Sequence, residues 1–119
     1  MKVIIAGGRE YDDYDRLRSY CDHILQDKDD IEIVSGGARG ADILGEKYGE
    51  ERKYKISRFF ADWDVHGKSA GYRRNAEMAN YGDALIAFWD GKSKGTKHMI
   101  DLARDKGLDI RIYNYGKDN

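Results

Sequence analysis

Glycine and arginine recur side by side at the junctions between β-branched runs and helical segments of this sequence. The stretches are GGRE at 7–10, GGARG at 36–40, GKSAGYRRN at 67–75 and GKSKGTK at 91–97. Glycine lets backbone N–H groups approach a ligand closely, and a guanidinium group matches two phosphate oxygens at once. These residue types therefore predict loops that bind a phosphate-bearing anion.

A second interpretation is that the glycines only make tight connections between strands and helices, where glycine is common. For GGARG alone the two interpretations are equally good. The cations beside the glycines favour binding, because a turn requires none, and Glu10 is the one acid in these four stretches. The cations are Arg9, Arg39, Lys68, Arg73, Arg74, Lys92, Lys94 and Lys97.

Two common phosphate-binding motifs are absent. The fingerprint G-x-G-x-x-G does not occur, since the first apolar run leads into Gly7-Gly8-Arg9. Gly-Lys-Ser occurs at 67–69 and 91–93, but a P-loop would need glycine where the chain has Asp62 and Ile86. We therefore set aside an NTPase and a standard dehydrogenase.

Strands and helices are predicted to alternate along the whole chain. Apolar, β-branched runs predict strands at 2–6, 31–35, 55–60, 84–89 and 109–113, and helical periodicity predicts helices at 14–26, 41–53, 70–81 and 96–106. This order predicts one α/β, Rossmann-like domain over 1–119, with a parallel five-stranded sheet and helices on both faces. Ligands bind beyond the carboxyl ends of such strands, so the glycine-rich loops are expected to converge.

Composition excludes several classes of protein. The net charge of -1 gives no global basic field for nucleic acid, and no apolar run approaches the ~18 residues that span a bilayer. We expect a cytoplasmic protein that does not contact a membrane. Cys21 is the single cysteine and shares a helical stripe with Leu17, Ile24 and Leu25, which predicts a buried structural thiol. His66 and His98 lack metal-site partners, so no metal and no cofactor are predicted.

The sequence resembles the YspA-type branch of the SLOG superfamily over nearly its whole length. The resemblance is carried by Gly7-Gly8-Arg9, Ser35 through Asp42, Ala61-Asp62-Trp63, Gly67-Lys68, Ala70-Gly71, Arg73-Arg74-Asn75, Met78 and Gly95-Thr96. It implies a compact Rossmann-like fold that binds nucleotides or nucleotide-derived ligands. The superfamily includes the LOG-type phosphoribohydrolases and the DNA-processing protein DprA.

Similarity to LOG enzymes implies that this protein has their ligand-binding residues. Whether it also has their catalytic activity is left open. Those enzymes pair an arginine of an R-K-x-x-M-like segment with a glutamate after a P-G-G-x-G-T loop. This sequence has Arg73-Arg74 with Met78, and Gly95-Thr96, but His98 and Met99 stand at the glutamate positions and Trp89-Asp90-Gly91 replaces P-G-G. Arg74, Glu77 and Asp90 are catalytic candidates, and Asp42 or Asp62 are further substitutes for the carboxylate. Each acid also has a structural interpretation, in a helix start, a loop or an ion pair.

The sequence thus predicts a module that binds a nucleotide-type small molecule. One alternative is an N-glycosidase that acts on nucleoside monophosphates, and another is DprA-like binding of nucleic acid, which the near-neutral charge disfavours. Trp63 and Trp89 either stack on a purine or belong to the core. Self-association is also open. The expected ligand-binding residues are Gly7, Gly8, Arg9, Gly36, Gly37, Arg39, Gly40, Asp42, Asp62, Trp63, Lys68, Arg73, Arg74, Asn75, Gly95 and Thr96.

Overall fold

A computed structural model describes residues 1–116 and contains one five-stranded, all-parallel sheet. The strands follow the order β3-β2-β1-β4-β5 across the sheet. They are β1 (Lys2–Gly7), β2 (Glu32–Ser35), β3 (Lys55–Arg58), β4 (Ala84–Trp89) and β5 (Asp109–Asn114). The expected α/β, Rossmann-like architecture is confirmed.

Helices occupy all four predicted places and one that was not predicted. They are α1 (Tyr14–Leu25), α2 (Ala41–Glu51), α3 (Trp63–His66), α4 (Ala70–Tyr81) and α5 (Lys94–Asp105). The prediction of an uninterrupted loop before α4 is wrong, because α3 and a 3-10 turn (Gly67–Ser69) fill it. The carboxylate of Asp62 starts α3 by accepting the N–H of Val65 at 3.2 Å. Within residues 1–116, no helix is long and apolar enough to cross a bilayer.

Alternate residues of each central strand pack on opposite faces of the sheet. Val3 and Ile5 of β1 belong to a core that includes Leu17 of α1 and Tyr48 of α2. The intervening Ile4 belongs to a second core, with side chains of α4 and α5. Both faces are therefore buried, which explains why the central strands read as continuous apolar runs.

Cys21 lies within the first of these cores. Its side chain is fully buried in α1, together with Leu17 and Leu25. Burial raises the pKa of its thiol. The prediction of a buried structural thiol is confirmed.

The third strand is shorter than predicted. We expected it to continue to Phe60, but β3 ends at Arg58. The N–H of Phe59 still bonds to the carbonyl oxygen of Ser35, at 2.8 Å, and the chain then turns away. Phe60 consequently lies outside the sheet, and 67% of its surface is exposed.

The strand order reverses between β1 and β4. From β1 the chain passes through α1 to β2 on one side, whereas β4 pairs with the other edge of β1. The connections that leave these two strands therefore diverge. Such a divergence opens a crevice beyond the carboxyl ends of parallel strands.

Candidate functional site

A cavity of about 360 Å³ lies at this reversal point, beyond the carboxyl ends of β1 and β4. We call it the switch-point cavity. Three loops, three helices and the segment after β5 contribute residues to it. Its lining consists of Ala6, Gly7, Gly8, Arg9, Glu10, Ala38, Asp42, Arg74, Asn75, Met78, Asp90, Ser93, Gly95, Thr96, Met99 and Tyr115.

The loop after β1 is held between β4 and α2. The N–H of Gly8 bonds to the carbonyl oxygen of Phe88 at 3.0 Å, and the carbonyl oxygen of Gly8 accepts the N–H of Ala41 at 3.2 Å. A Cβ atom at Gly7 would lie 2.2 Å from the Phe88 carbonyl oxygen. This close approach excludes any side chain at Gly7 and fixes the wall that carries Arg9.

The GGARG loop after β2 crosses directly over the β1 loop. Gly40, which precedes α2, has a φ of 82°, and a Cβ atom there would lie 2.3 Å from the carbonyl oxygen of Gly8. Only glycine avoids both the strained backbone and the contact. The structural interpretation of this glycine is therefore supported, and the tight crossing also brings the two loops together.

The guanidinium group of Arg74 reaches from α4 to the GGARG loop. Its Nη1 donates to the carbonyl oxygen of Gly36 at 2.6 Å, and its Nε donates to the side-chain oxygen of Asn75 at 3.1 Å. Burial, together with the nearby charge of Arg9, lowers its pKa. Within residues 1–116 its Nη2 makes no hydrogen bond, so this nitrogen is available to a ligand.

Asp42 places a carboxyl group in the cavity from the first turn of α2. The side chain is only 5% exposed and accepts the N–H of Ala38 at 3.3 Å. Burial raises its pKa to about 6, although the Ala38 N–H and the charge of Arg74 act in the opposite direction. Near neutral pH this carboxyl group can therefore take up or release a proton.

The first turn of α5 forms the opposite side of the cavity. Ser93 caps this helix, since its hydroxyl oxygen accepts the N–H of Thr96 at 3.4 Å. Asp90 orders the preceding loop by accepting the N–H groups of Lys92 and Ser93, at 2.8 and 2.7 Å. These bonds hold the pKa of Asp90 below its usual range. A capped helix N-terminus with small side chains can accept an anion.

Asn75 connects α4 to α5 beneath this turn. Its side-chain nitrogen donates to the carbonyl oxygen of Gly95 at 3.4 Å and lies 3.2 Å from Nδ1 of His98. The imidazole of His98 also packs on the ring of Tyr72, with centroids 4.5 Å apart. The position of Gly95 relative to Arg74 is thus set by direct side-chain contacts.

Comparison with known sequences identifies the family. A profile of the YspA, cpYpsA-related SLOG family matches residues 1–66. The chain belongs to this family. It is also 33% identical to the Gene 61 protein of Mycobacterium phage D29 over 122 residues, which cover 97% of this chain and 96% of that protein. No solved structure matches the chain. SLOG membership indicates binding or modification of nucleotide-related molecules.

The structure gathers much of the sequence-predicted SLOG site in the switch-point cavity. The predicted ligand-binding residues that line it are Gly7, Gly8, Arg9, Asp42, Arg74, Asn75, Gly95 and Thr96. A neighbouring hollow is lined by Gly36, Gly37, Arg39 and Trp63, together with Arg9 and Arg74. Lys68 lines a third hollow, which Arg9 and Arg74 also border.

Other predicted residues lie away from the cavity. Asp62 and Arg73 border a separate hollow between α3 and α4, which Arg74 also lines, and Gly40 lies at the crossing of the two loops. The segment after β4 reaches the cavity through Asp90 and Ser93, but its cations Lys92, Lys94 and Lys97 lie outside the cavity lining. Lys97 instead pairs with Asp101 one turn along α5, at 2.8 Å.

Arg39 pairs with Glu10 across the two crossing loops. The distance between Nη2 of Arg39 and the carboxylate oxygen is 2.7 Å, and both side chains are largely exposed. An exposed pair of this kind contributes little to stability. Arg39 therefore remains free to exchange Glu10 for a bound anion.

The catalytic candidates differ in their position relative to the switch-point cavity. Asp90 lines the cavity together with Arg74, and so does Asp42. Glu77 is exposed on α4 and does not line the cavity, although it borders the hollow between α3 and α4 together with Asp62 and Arg74. Met99, one of the two residues at which the resemblance to LOG enzymes implies a glutamate, is buried beside the cavity and offers no carboxylate.

Several lining residues were not predicted from the sequence. Tyr115 follows β5, and its hydroxyl group stands so close to Gly8 that a Cβ atom there would lie 1.9 Å from it. The sequence could have indicated Tyr115 as a site residue, because it directly follows β5, which ends at the same sheet edge as β1 and β4. Ser93, Glu10, Ala38 and Phe60 were also missed as site residues.

Proposed function

We propose that this protein binds a nucleotide or nucleotide-derived ligand in the switch-point cavity, with a phosphate group against Arg9, Arg74 and the first turn of α5. One observation carries the proposal. Three phosphate-suited elements from separate connections, Gly8-Arg9, Arg74 and Gly95-Thr96, line a single cavity. A volume of about 360 Å³ falls in the range of small-molecule sites.

The electrostatics of the cavity support an anionic ligand. Arg9 and Arg74 are close enough for the charge of Arg9 to lower the pKa of Arg74. An anion between them would relieve this repulsion. Asp42 opposes the anion only when it is ionised, and its raised pKa reduces that opposition.

Calorimetry and thermal unfolding with defined probes test the proposal. The probes are the four common ribonucleoside 5′-monophosphates, the corresponding diphosphates and ADP-ribose. At least one should bind and raise the melting temperature, because a ligand of the native state stabilises it. Arg74→Gln should weaken that binding by about 10- to 100-fold, since charge-assisted hydrogen bonds contribute roughly 1.5–3 kcal/mol.

Arg104→Gln is the matched control. Arg104 is an exposed arginine of α5 that lies 3.5 Å from Asp101 and does not line the cavity. Its variant should bind like the unmodified protein. Unfolding of each variant without ligand separates lost affinity from lost folding. If no probe shifts the melting temperature, or if folded Arg74→Gln binds as tightly as the control, the proposal is wrong.

An N-glycosidase remains the second candidate because Asp42 supplies a carboxyl group beside Arg74. In that reaction water adds to the anomeric carbon as the carbon–nitrogen bond breaks, and the base leaves with a proton. Asp42 would accept a proton from the attacking water, and this proton would then pass to the departing base, so that the carboxylate is regenerated. Chromatography of the same nucleotide incubations measures the free base. Its release, and loss of that release in Asp42→Asn, would favour the enzyme over a binding module.

A further inference from the structure

Two exposed aromatic side chains lie beside the switch-point cavity. Phe60 is 67% exposed and Trp63 is 52% exposed, whereas large aromatic residues usually bury most of their surface. Both border a hollow of about 480 Å³ above the GGARG loop. We call these two side chains, with the Gly36–Ala38 backbone beneath them, the aromatic shelf.

Contacts with neighbouring residues hold both aromatic side chains of the shelf in place. The ring of Phe60 rests on the backbone of Gly37, where a Cβ atom would lie 2.6 Å from Cε1 of the ring. Gly37 also has a φ of 73°, which favours glycine. The indole of Trp63 packs near Gly71 of α4, at 3.5 Å from a Cβ atom placed there. Aromatic faces held in this way offer a stacking surface for a flat ring.

The shelf and the cavity share a cationic boundary. Arg9, Ala38 and Arg74 line both hollows. The two arginines therefore border both a concave cavity and a stacking surface. Arg39 adds a third guanidinium group on the shelf side.

We propose that the ligand of this site is a dinucleotide, in which two nucleosides are joined through phosphate groups. One nucleoside occupies the switch-point cavity, the phosphate bridge lies between Arg9 and Arg74, and the second base stacks on Phe60 and Trp63. This inference rests on the proposed function and specifies its ligand class. The shared arginine boundary carries it, since a mononucleotide in the cavity would leave the shelf uncovered.

A nucleic-acid strand fits the observations less well. Proteins that bind single strands combine stacking with a positively charged groove along the backbone. Here the net charge is -1, and the cations of the site gather at one boundary. A compact ligand with two bases could contact the cavity, the arginines and the aromatic shelf at the same time.

Calorimetry of matched ligands tests the inference. The probes are each ribonucleoside 5′-monophosphate and its pyrophosphate-linked dinucleotide with the same base, at fixed ionic strength. The dinucleotide should bind at least 10-fold more tightly than its monophosphate. Trp63→Ala and Phe60→Ala should each reduce dinucleotide affinity by about 10-fold, because one stacked base contributes that much. Monophosphate affinity should change less than 2-fold.

Val65→Ala is the control, since Val65 is 70% exposed on the same short helix and lies outside the shelf hollow. It should bind both probes like the unmodified protein. Monophosphate binding without a dinucleotide gain, or a gain that survives Trp63→Ala and Phe60→Ala, overturns this inference and leaves the proposed function standing. If neither class binds, both fail. Tight, steeply salt-dependent binding of a dT8 oligonucleotide that requires Trp63, without a dinucleotide gain, assigns the shelf to a strand instead.

Discussion

Asp42 and Arg74 are the pair on which the chemistry of the site depends. Both side chains border Gly36, where a Cβ atom would lie 2.8 Å from Oδ2 of Asp42 and from Nη1 of Arg74. Despite this proximity, burial prevails at the carboxyl group and raises its pKa to about 6. The pair can therefore present either a net positive or a neutral surface, according to the protonation of Asp42.

The raised pKa of Asp42 predicts a specific dependence of stability on pH. A carboxyl group whose pKa is higher in the folded state stabilises the fold at low pH, and this contribution disappears as pH rises through the folded value. Between pH 4.5 and 7.5 the unmodified protein should therefore lose about 2 kcal/mol of unfolding free energy relative to Asp42→Asn. Urea unfolding across this range measures the difference.

Asp90→Asn is the control for this titration. The pKa of Asp90 lies below its usual range, so this carboxylate is ionised throughout the interval. Its variant should keep a constant difference from the unmodified protein between pH 5 and 7.5. A flat difference for Asp42→Asn as well would show that Asp42 is ionised in the folded protein at all these pH values.

At the scale of elements, the connections that carry the site are positioned by backbone contacts. Gly40 is the clearest case, because a Cβ atom there would collide with the carbonyl groups of Gly8 and Arg9 in the β1 loop. The loops can then differ in side chains while their crossing is retained. The position of α2, which carries Asp42, depends on this crossing.

Substitution of Gly40 tests that dependence. Gly40→Ala should lower the free energy of unfolding by about 2 kcal/mol or more, since it combines a positive φ with a main-chain collision. Gly95→Ala is the control for stability, because a Cβ atom there meets nothing within 4 Å and alanine favours a helix. Chemical unfolding compares the two variants. An equal, small effect in both would contradict the structural role of the crossing.

The main strands and helices could be predicted because the spacing of apolar residues in the sequence agrees with their burial in the structure. The run at 84–89 is buried on both faces as β4, and the stripe through Leu17 and Cys21 faces the core. The helix α3 could not be predicted, since four residues, WDVH, are too few to show a period. The cavity could be anticipated because parallel strands end at one edge. The positions of Tyr115 and Phe60 in the site could not be predicted, because they depend on the residue at which a strand ends. Strand ends are the least reliable part of a prediction from sequence.

At the scale of the whole molecule, the first core lies apart from the site, whereas the second core shares Met78 and Met99 with the switch-point cavity. One core lies between the sheet and α1 with α2, and the other between the sheet and α4 with α5. Leu17 is fully buried in the first core and does not line the switch-point cavity. Substitutions in the first core should therefore change stability without changing ligand binding.

Leu17→Ala should lower the free energy of unfolding by about 2 to 4 kcal/mol, because it leaves a cavity in a packed core. Its affinity for a nucleotide that binds the unmodified protein should stay within 2-fold, measured by calorimetry at a temperature where the variant is folded. Ile100→Ala makes the same comparison in the second core. A large loss of affinity in folded Leu17→Ala would show that the first core also shapes the cavity.

The complete burial of Cys21 has a practical consequence. Thiol-directed reagents act on exposed thiolates. In the native fold Cys21 is neither exposed nor ionised, because burial shields the sulfur from solvent and raises the pKa of its thiol. A cysteine introduced at Val65, beside Trp63, would then be the sole accessible attachment point for a maleimide dye. The unmodified protein would serve as an unlabelled blank, and fluorescence of the conjugate would report occupancy of the neighbouring surface in real time.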